Sequence, residues 1–188
     1  VFNAAFIPSY VDESTISKID GKKFADDVLN LLIIVLLGII FVVEIFTPLI
    51  VYLIAPGFYG NIDKFNLAVE LTRITFPFLF FVSLSSLFSG ILNSNNKFAA
   101  AAAAPIILNI FLILSIFISY FFKFNFELNL SYAVTLAGLF QLIFLIFFTK
   151  HYYKPSISFK IKINSKIKYF LKKLLPSIFS SGVTQINI

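Results

Sequence analysis

Cysteine, methionine and tryptophan are absent from this 188-residue sequence, and histidine occurs once. Without cysteine there is neither a disulfide framework nor a thiolate metal site. His151 stands alone among Lys150, Tyr152 and Lys154, and a single imidazole cannot assemble the ligand set a metal ion needs. Charge is scarce as well: Asp, Glu, Lys and Arg make up 13% of the chain, against about 25% in soluble domains. No Ser/His/Asp set, carboxylate pair, glycine-rich phosphate loop or metal cluster is visible, so catalysis has no candidate residue and no cofactor is expected. The net charge of +6 is not set in an aromatic-basic recognition module, and a nucleic-acid partner is not expected either.

What is abundant is apolar surface. Hydrophobic residues make up 59% of the chain, 26 of them Phe, and they fill whole runs rather than one helical face, the pattern of a membrane protein. A spanning helix needs about 20 apolar residues, and five stretches come near that length: Val28 to Ala55, Phe65 to Leu92, Ala99 to Phe122, Leu130 to Thr149, and Tyr169 onward. A partial helix is expected over residues 1–16. The breaks carry turn chemistry in "APGFYGNIDK", "NSNNK" and "KFNFELN". The expected fold is all-α, a polytopic membrane helix bundle. The chain opens without Met and stops within an apolar pattern, so it is read as a fragment with further helices on both sides.

Lysine placement sets direction, because cytoplasmic loops retain positive charge. Lys18, Lys22, Lys23, Lys97 and the eight lysines from Lys150 to Lys173 fall on one side, and only Lys64 and Lys123 on the other. The lysine-rich side is therefore expected to face the cytoplasm, with the basic loop 150–168 meeting anionic lipid headgroups. Within it, "SISFKIKIN" alternates Ile157, Phe159, Ile161 and Ile163 with polar residues. A period of two reads as a short strand near the membrane surface, with an amphipathic interfacial helix as its rival.

Charges inside apolar spans are costly and mark candidate sites. Glu44 lies near the middle of the first full span and Arg73 about two turns inside the second, each four residues before a proline, Pro48 and Pro77. A proline removes the hydrogen bond that the fourth residue before it would accept, so each charge sits where its helix can kink. Arg73 can pair with Glu70 at i, i+3 near the interface, or with Glu44 across antiparallel neighbours in a polar cavity lining. Asn109 and Gln141 are isolated amides, suited to interhelical hydrogen bonds or to a cavity. Thr75, Ser86, Ser89 and Asn93 share one helical face; Ser177, Ser181, Thr184 and Gln185 share another, as in close helix packing. The substrate-cavity candidates are thus Arg73, Glu44, Glu70, Asn109, Gln141 and Gln185.

The motifs "FNAAFIP" (Phe2 to Pro8), "APGF" (Ala55 to Phe58), "LTRITFPF" (Leu71 to Phe78), "GILNSNNKFAAAAAAPIILN" (Gly90 to Asn109) and "LLPSIFSSGVTQIN" (Leu174 to Asn187) together resemble the MurJ/MviN family of lipid II flippases. The first three motifs point to this family in particular, while the Leu-Asn to Pro to Asn pattern of the fourth is less specific, because related multidrug and polysaccharide exporters have similar helices. The resemblance implies fourteen helices in two lobes around a central cavity, of which this chain would supply part of the N-terminal lobe. It also implies alternating access that carries the lipid-linked peptidoglycan precursor across the bacterial cytoplasmic membrane, by a transporter that is monomeric when complete. The cationic residues that matter most in the family fall outside these 188 residues; Arg73 matches a basic position in the family's fourth helix, and Glu44 matches no family role. An exporter of the same superfamily, or a non-transport subunit of an envelope assembly, is the alternative.

Overall fold

The structure is a computed structural model that describes residues 2–58, 60–158 and 163–186, with side-chain surroundings described as far as residue 176. Among the described residues it is helical throughout, with no strand. The helices are α1 (Phe2–Ile16), α2 (Lys18–Ile54), α3 (Ile62–Thr75), α4 (Phe78–Ser94), α5 (Phe98–Phe122), α6 (Phe126–Thr149) and α7 (Ser165–Ile186).

Short polar residues set the helix starts. Asn61, Asn125 and Asn164 each accept a backbone N–H of the helix they precede, from Lys64 at 3.1 Å, Leu128 at 3.0 Å and Ile167 at 2.9 Å. These are N-caps, which satisfy donors that a helix start leaves without a partner. Ser17 caps α2 by accepting the Asp20 N–H at 3.0 Å, and its hydroxyl donates to the Asp20 carboxylate at 2.7 Å. This cap lies ten residues ahead of the apolar run, so α2 begins at Lys18 and not at Val28. At the other end of α4, Asn96 takes a left-handed φ of 57° and the Lys97 N–H reaches back to Leu92 O at 2.9 Å, a closing turn that asparagine adopts readily.

Four segments are long and apolar enough to cross a membrane: Lys18–Ile54, Ile62–Ser94, Phe98–Phe122 and Phe126–Thr149. The second is broken in two. The expected span Phe65 to Leu92 lies within this one segment, which is made of two helices, α3 and α4, because Pro77 cannot donate to the Arg73 carbonyl and the helix lapses over Phe76 and Pro77. The fifth expected span, from Tyr169, falls on α7, whose side chains are described only as far as residue 176; its first turns carry Lys166, Lys168, Lys172 and Lys173. The expected strand falls largely on residues 159–162, outside the described residues, and Pro155 to Ser158 before it have no regular structure.

The chain divides into two compact units. One comprises Val1–Ile34, Leu84–Ala102 and Leu145–Ile188. Its centre is aromatic: Phe6 stacks on Phe2, Tyr10 and Phe24 with ring centroids 5.3, 5.6 and 6.0 Å away, and Phe170 meets Phe6 and Phe24 edge-on. Edge-on and offset pairs of this kind add to the stabilisation from area burial alone. Gly90 lets α4 approach this stack: a Cβ there would lie 2.8 Å from Phe6 Cδ1 and 2.8 Å from Asn3 Oδ1. The other unit comprises Val35–Ser83 and Ala103–Phe144. There Gly138 of α6 packs where a Cβ would meet Phe78 at 2.6 Å, and Phe111 meets Phe140 at 5.1 Å. Asn129 ties α6 to α5 by donating to Ser115 O at 3.0 Å and to the Ser119 hydroxyl at 2.7 Å. Apolar side chains such as Ile110, Ile113 and Phe117 stay exposed along α5, as a lipid-facing helix requires.

Candidate functional site

The intramembrane candidates lie in the second unit. Glu44 is half-buried, Glu70, Arg73 and Asn109 are exposed, and Gln141 is buried at 7%. Among the described residues no ion pair joins Arg73 to Glu70 or to Glu44. The structure therefore does not gather these charges into a pair, and Arg73 presents its guanidinium free of a carboxylate. Gln185, with Ser177, Ser181 and Thr184, lies outside the described side chains.

What the structure does organise here is backbone. Pro48 leaves the Glu44 carbonyl without its helical donor, and the buried Thr47 hydroxyl takes the place, 2.7 Å from Val43 O and 3.2 Å from Glu44 O. At the break between α3 and α4 the Thr135 hydroxyl, from α6, donates to Ile74 O. Both satisfy carbonyls that would be expensive to leave bare in an apolar setting. Pro48 thus opens the ladder at Glu44, where Thr47 reaches the carbonyl, and Thr135 serves Ile74 O, the carbonyl next to the one that Pro77 frees on Arg73.

A second polar cluster, in the first unit, was not singled out from the sequence. Asp26 Oδ1 accepts the Tyr153 hydroxyl at 2.7 Å and the Ser156 N–H at 2.9 Å, while Lys22 lies 3.2 Å from its other oxygen. One turn on, the Asn30 side chain donates to Ser156 O at 3.1 Å and accepts the Ser158 N–H at 2.7 Å. Asp27 accepts from Asn164 Nδ2 at 2.9 Å. Lys166 pairs with Glu13 and lies 3.7 Å from Asp20. The basic segment between α6 and α7 is thereby strapped to α1 and α2. Burial, then the hydrogen bond to Asp26, pushes the Tyr153 hydroxyl well above its ordinary range. The hydrogen bond to Glu13 raises Lys166. The available signal was Asp26, Asp27 and Asn30 at i, i+1 and i+4 just ahead of an apolar run, a spacing that puts Asp26 and Asn30 on one helix face.

A family model for the lipid II flippase MurJ matches residues 1–188, the whole chain. The chain belongs to the MurJ lipid II flippase family. Similar MurJ proteins include the probable lipid II flippase of Rickettsia prowazekii, 39% identical over 99% of this chain, and that of Rhizobium tropici, 38% identical over 100%. The lipid II flippase MurJ of Burkholderia cenocepacia is 30% identical, again over 100% of the chain. The chain spans 36% of the length of the first two relatives and 37% of the third. Several MurJ-like motifs have structural work here: "APGF" forms the turn around the short 3-10 helix Pro56–Phe58, "LTRITFPF" forms the α3 to α4 break, and "FNAAF" contributes Phe2 and Phe6 to the aromatic stack.

Proposed function

We propose that the protein carrying this chain moves a lipid-linked peptidoglycan precursor across the bacterial cytoplasmic membrane by alternating access, acting as a transporter and not as an enzyme. The observation that carries this reading is the match to the flippase family over residues 1–188, supported by relatives bearing that name at 30 to 39% identity across the chain. The exporter and assembly-subunit alternatives have no comparable support.

In this reading the chain contributes helices of one lobe, with its lysine-rich ends in the cytoplasm. Arg73 is exposed and free of a carboxylate among the described residues, so its charge is available to a pyrophosphate moving past it. Glu44, Glu70, Asn109 and Gln141 are the other candidates on the path, and Gln185 is proposed from the sequence alone. The complete protein works as a monomer within the lipid bilayer. The test is rescue: the complete gene should restore growth to bacteria depleted of their own lipid II flippase, and residues 1–188 alone should insert without restoring it. Failure of the complete gene, when its product reaches the membrane, overturns the proposal.

A further inference from the structure

Where α1 ends and α2 begins, the chain lines a cavity of about 390 Å³, bounded elsewhere by the turns after α4 and α6. Lys18, Lys22 and His151 line it together with Asn95 and Tyr152, and among the described residues no Asp or Glu does. The lining hydroxyls of Ser14 and Thr15 are committed as donors, to Tyr10 O at 2.7 Å and Asp12 O at 2.7 Å. Asn95 spends one amide hydrogen on Ile91 O at 2.8 Å and keeps the other. The donors left are the ammonium groups, the imidazole, the Tyr10 and Tyr152 hydroxyls and that remaining amide hydrogen. Lys97 lines an adjoining hollow that shares His151 and Tyr152.

Opposing charge is modest. Asp26 answers Lys22 at 3.2 Å, while Lys18 has no ion pair among the described residues. The ends of α1, α4 and α6 lie beside the cavity, and each brings about half a negative charge. Against this stand Lys18 and Lys22 in the lining, Lys97 in the adjoining hollow, and the start of α2, which brings about half a positive charge. A compact anion with several acceptor oxygens is the ligand such a donor set fits. We propose that this cavity is a discrete binding site for one phosphate group, supplied by an anionic lipid headgroup or by soluble phosphate. This differs from diffuse attraction of a basic loop to the membrane in being saturable and in depending on particular side chains. It is independent of what the protein transports.

The experiment is a binding titration of the full-length protein in neutral detergent at fixed ionic strength, with dihexanoyl phosphatidylglycerol in one arm and inorganic phosphate in the other. Saturable binding in the first arm assigns a lipid headgroup, and saturable binding in the second alone assigns a soluble ion. In either case Lys18→Gln should weaken binding about tenfold, the effect of one charge-assisted contact. His151→Ala should weaken it in the same direction, and Lys123→Gln, which lies outside the cavity lining, should leave it unchanged. Thermal unfolding of each variant separates lost binding from lost fold. Absence of saturation in both arms overturns the proposal, as does binding that folded Lys18→Gln protein retains in full or that Lys123→Gln weakens equally.

Discussion

Replacing Asp26 with Ala should release the segment between α6 and α7. The carboxylate holds the Tyr153 hydroxyl and the Ser156 N–H, and Tyr153 is only 3% exposed, so its hydroxyl would be left buried without an acceptor. That costs about 1 to 3 kcal/mol, and the exposed Ser156 bond adds roughly 1 kcal/mol. The exposed Lys22 pair adds little. A local opening made easier by about 2 to 4 kcal/mol is populated about 30- to 700-fold more. Chymotrypsin cleavage after residue 153, followed by peptide mapping on full-length protein with this face accessible, should accelerate by that factor while opening remains fast relative to cleavage. The Tyr153→Phe background removes the stranded hydroxyl, so Asp26→Ala should cost less there, and the difference measures the coupling. Cleavage after residue 153 that Asp26→Ala leaves at the wild-type rate would refute the strap.

Cysteine placed at Asn61 should react with an impermeant thiol reagent in intact cells, and cysteine at Lys97 should not; the reverse pattern would invert the topology. Thr135→Val removes the hydroxyl donated to Ile74 O and should lower stability by about 1 to 3 kcal/mol, read as a lower thermal midpoint in detergent. Arg73→Leu should reach the membrane at the normal level, because no partner carboxylate is stranded, while moving less lipid in a reconstituted assay. Tyr153 holds its proton more tightly in the folded state than in the unfolded one, so its contribution is full below the unfolded tyrosine pKa, about 10, and is lost as pH rises above it. Unfolding midpoints measured on either side of that pH should fall less steeply in Tyr153→Phe.

The parts of the fold legible in the sequence are those written in local chemistry. Long apolar runs gave the four spans, and the turn residues in "NSNNK" and "APGF" marked where they end. Pro77 signalled a kink but not whether the helix would bend or lapse, since that depends on whether a distant hydroxyl, Thr135, arrives to satisfy the opened backbone. Apolarity marks the span from Val28, while the helix that carries it starts earlier, at the Ser17 and Asp20 cap in polar sequence. Pairing was the least legible. Arg73 and Glu70 have the spacing for an ion pair, yet both side chains point to the surface of this chain, where such a pair gains little. The contacts from Asp26 to Tyr153 and Asn30 to Ser158 span 127 and 128 residues, and no local pattern announces which loop will fold back onto which helix.

Asn30 grips Ser156 and Ser158, Asp27 grips the capping residue Asn164, and Lys166 reaches Glu13 and Asp20, so the approach to α7 and its first turn are together anchored at three successive points. A pull along α7 would not simply unreel the segment before it. The load would pass in shear into the first turns of α2 and the end of α1, and the anchors would have to fail together before the helix could swing alone. In mechanical terms α7 is mounted on a clamped bracket, and tension on it is delivered to the two helices that precede it by well over a hundred residues.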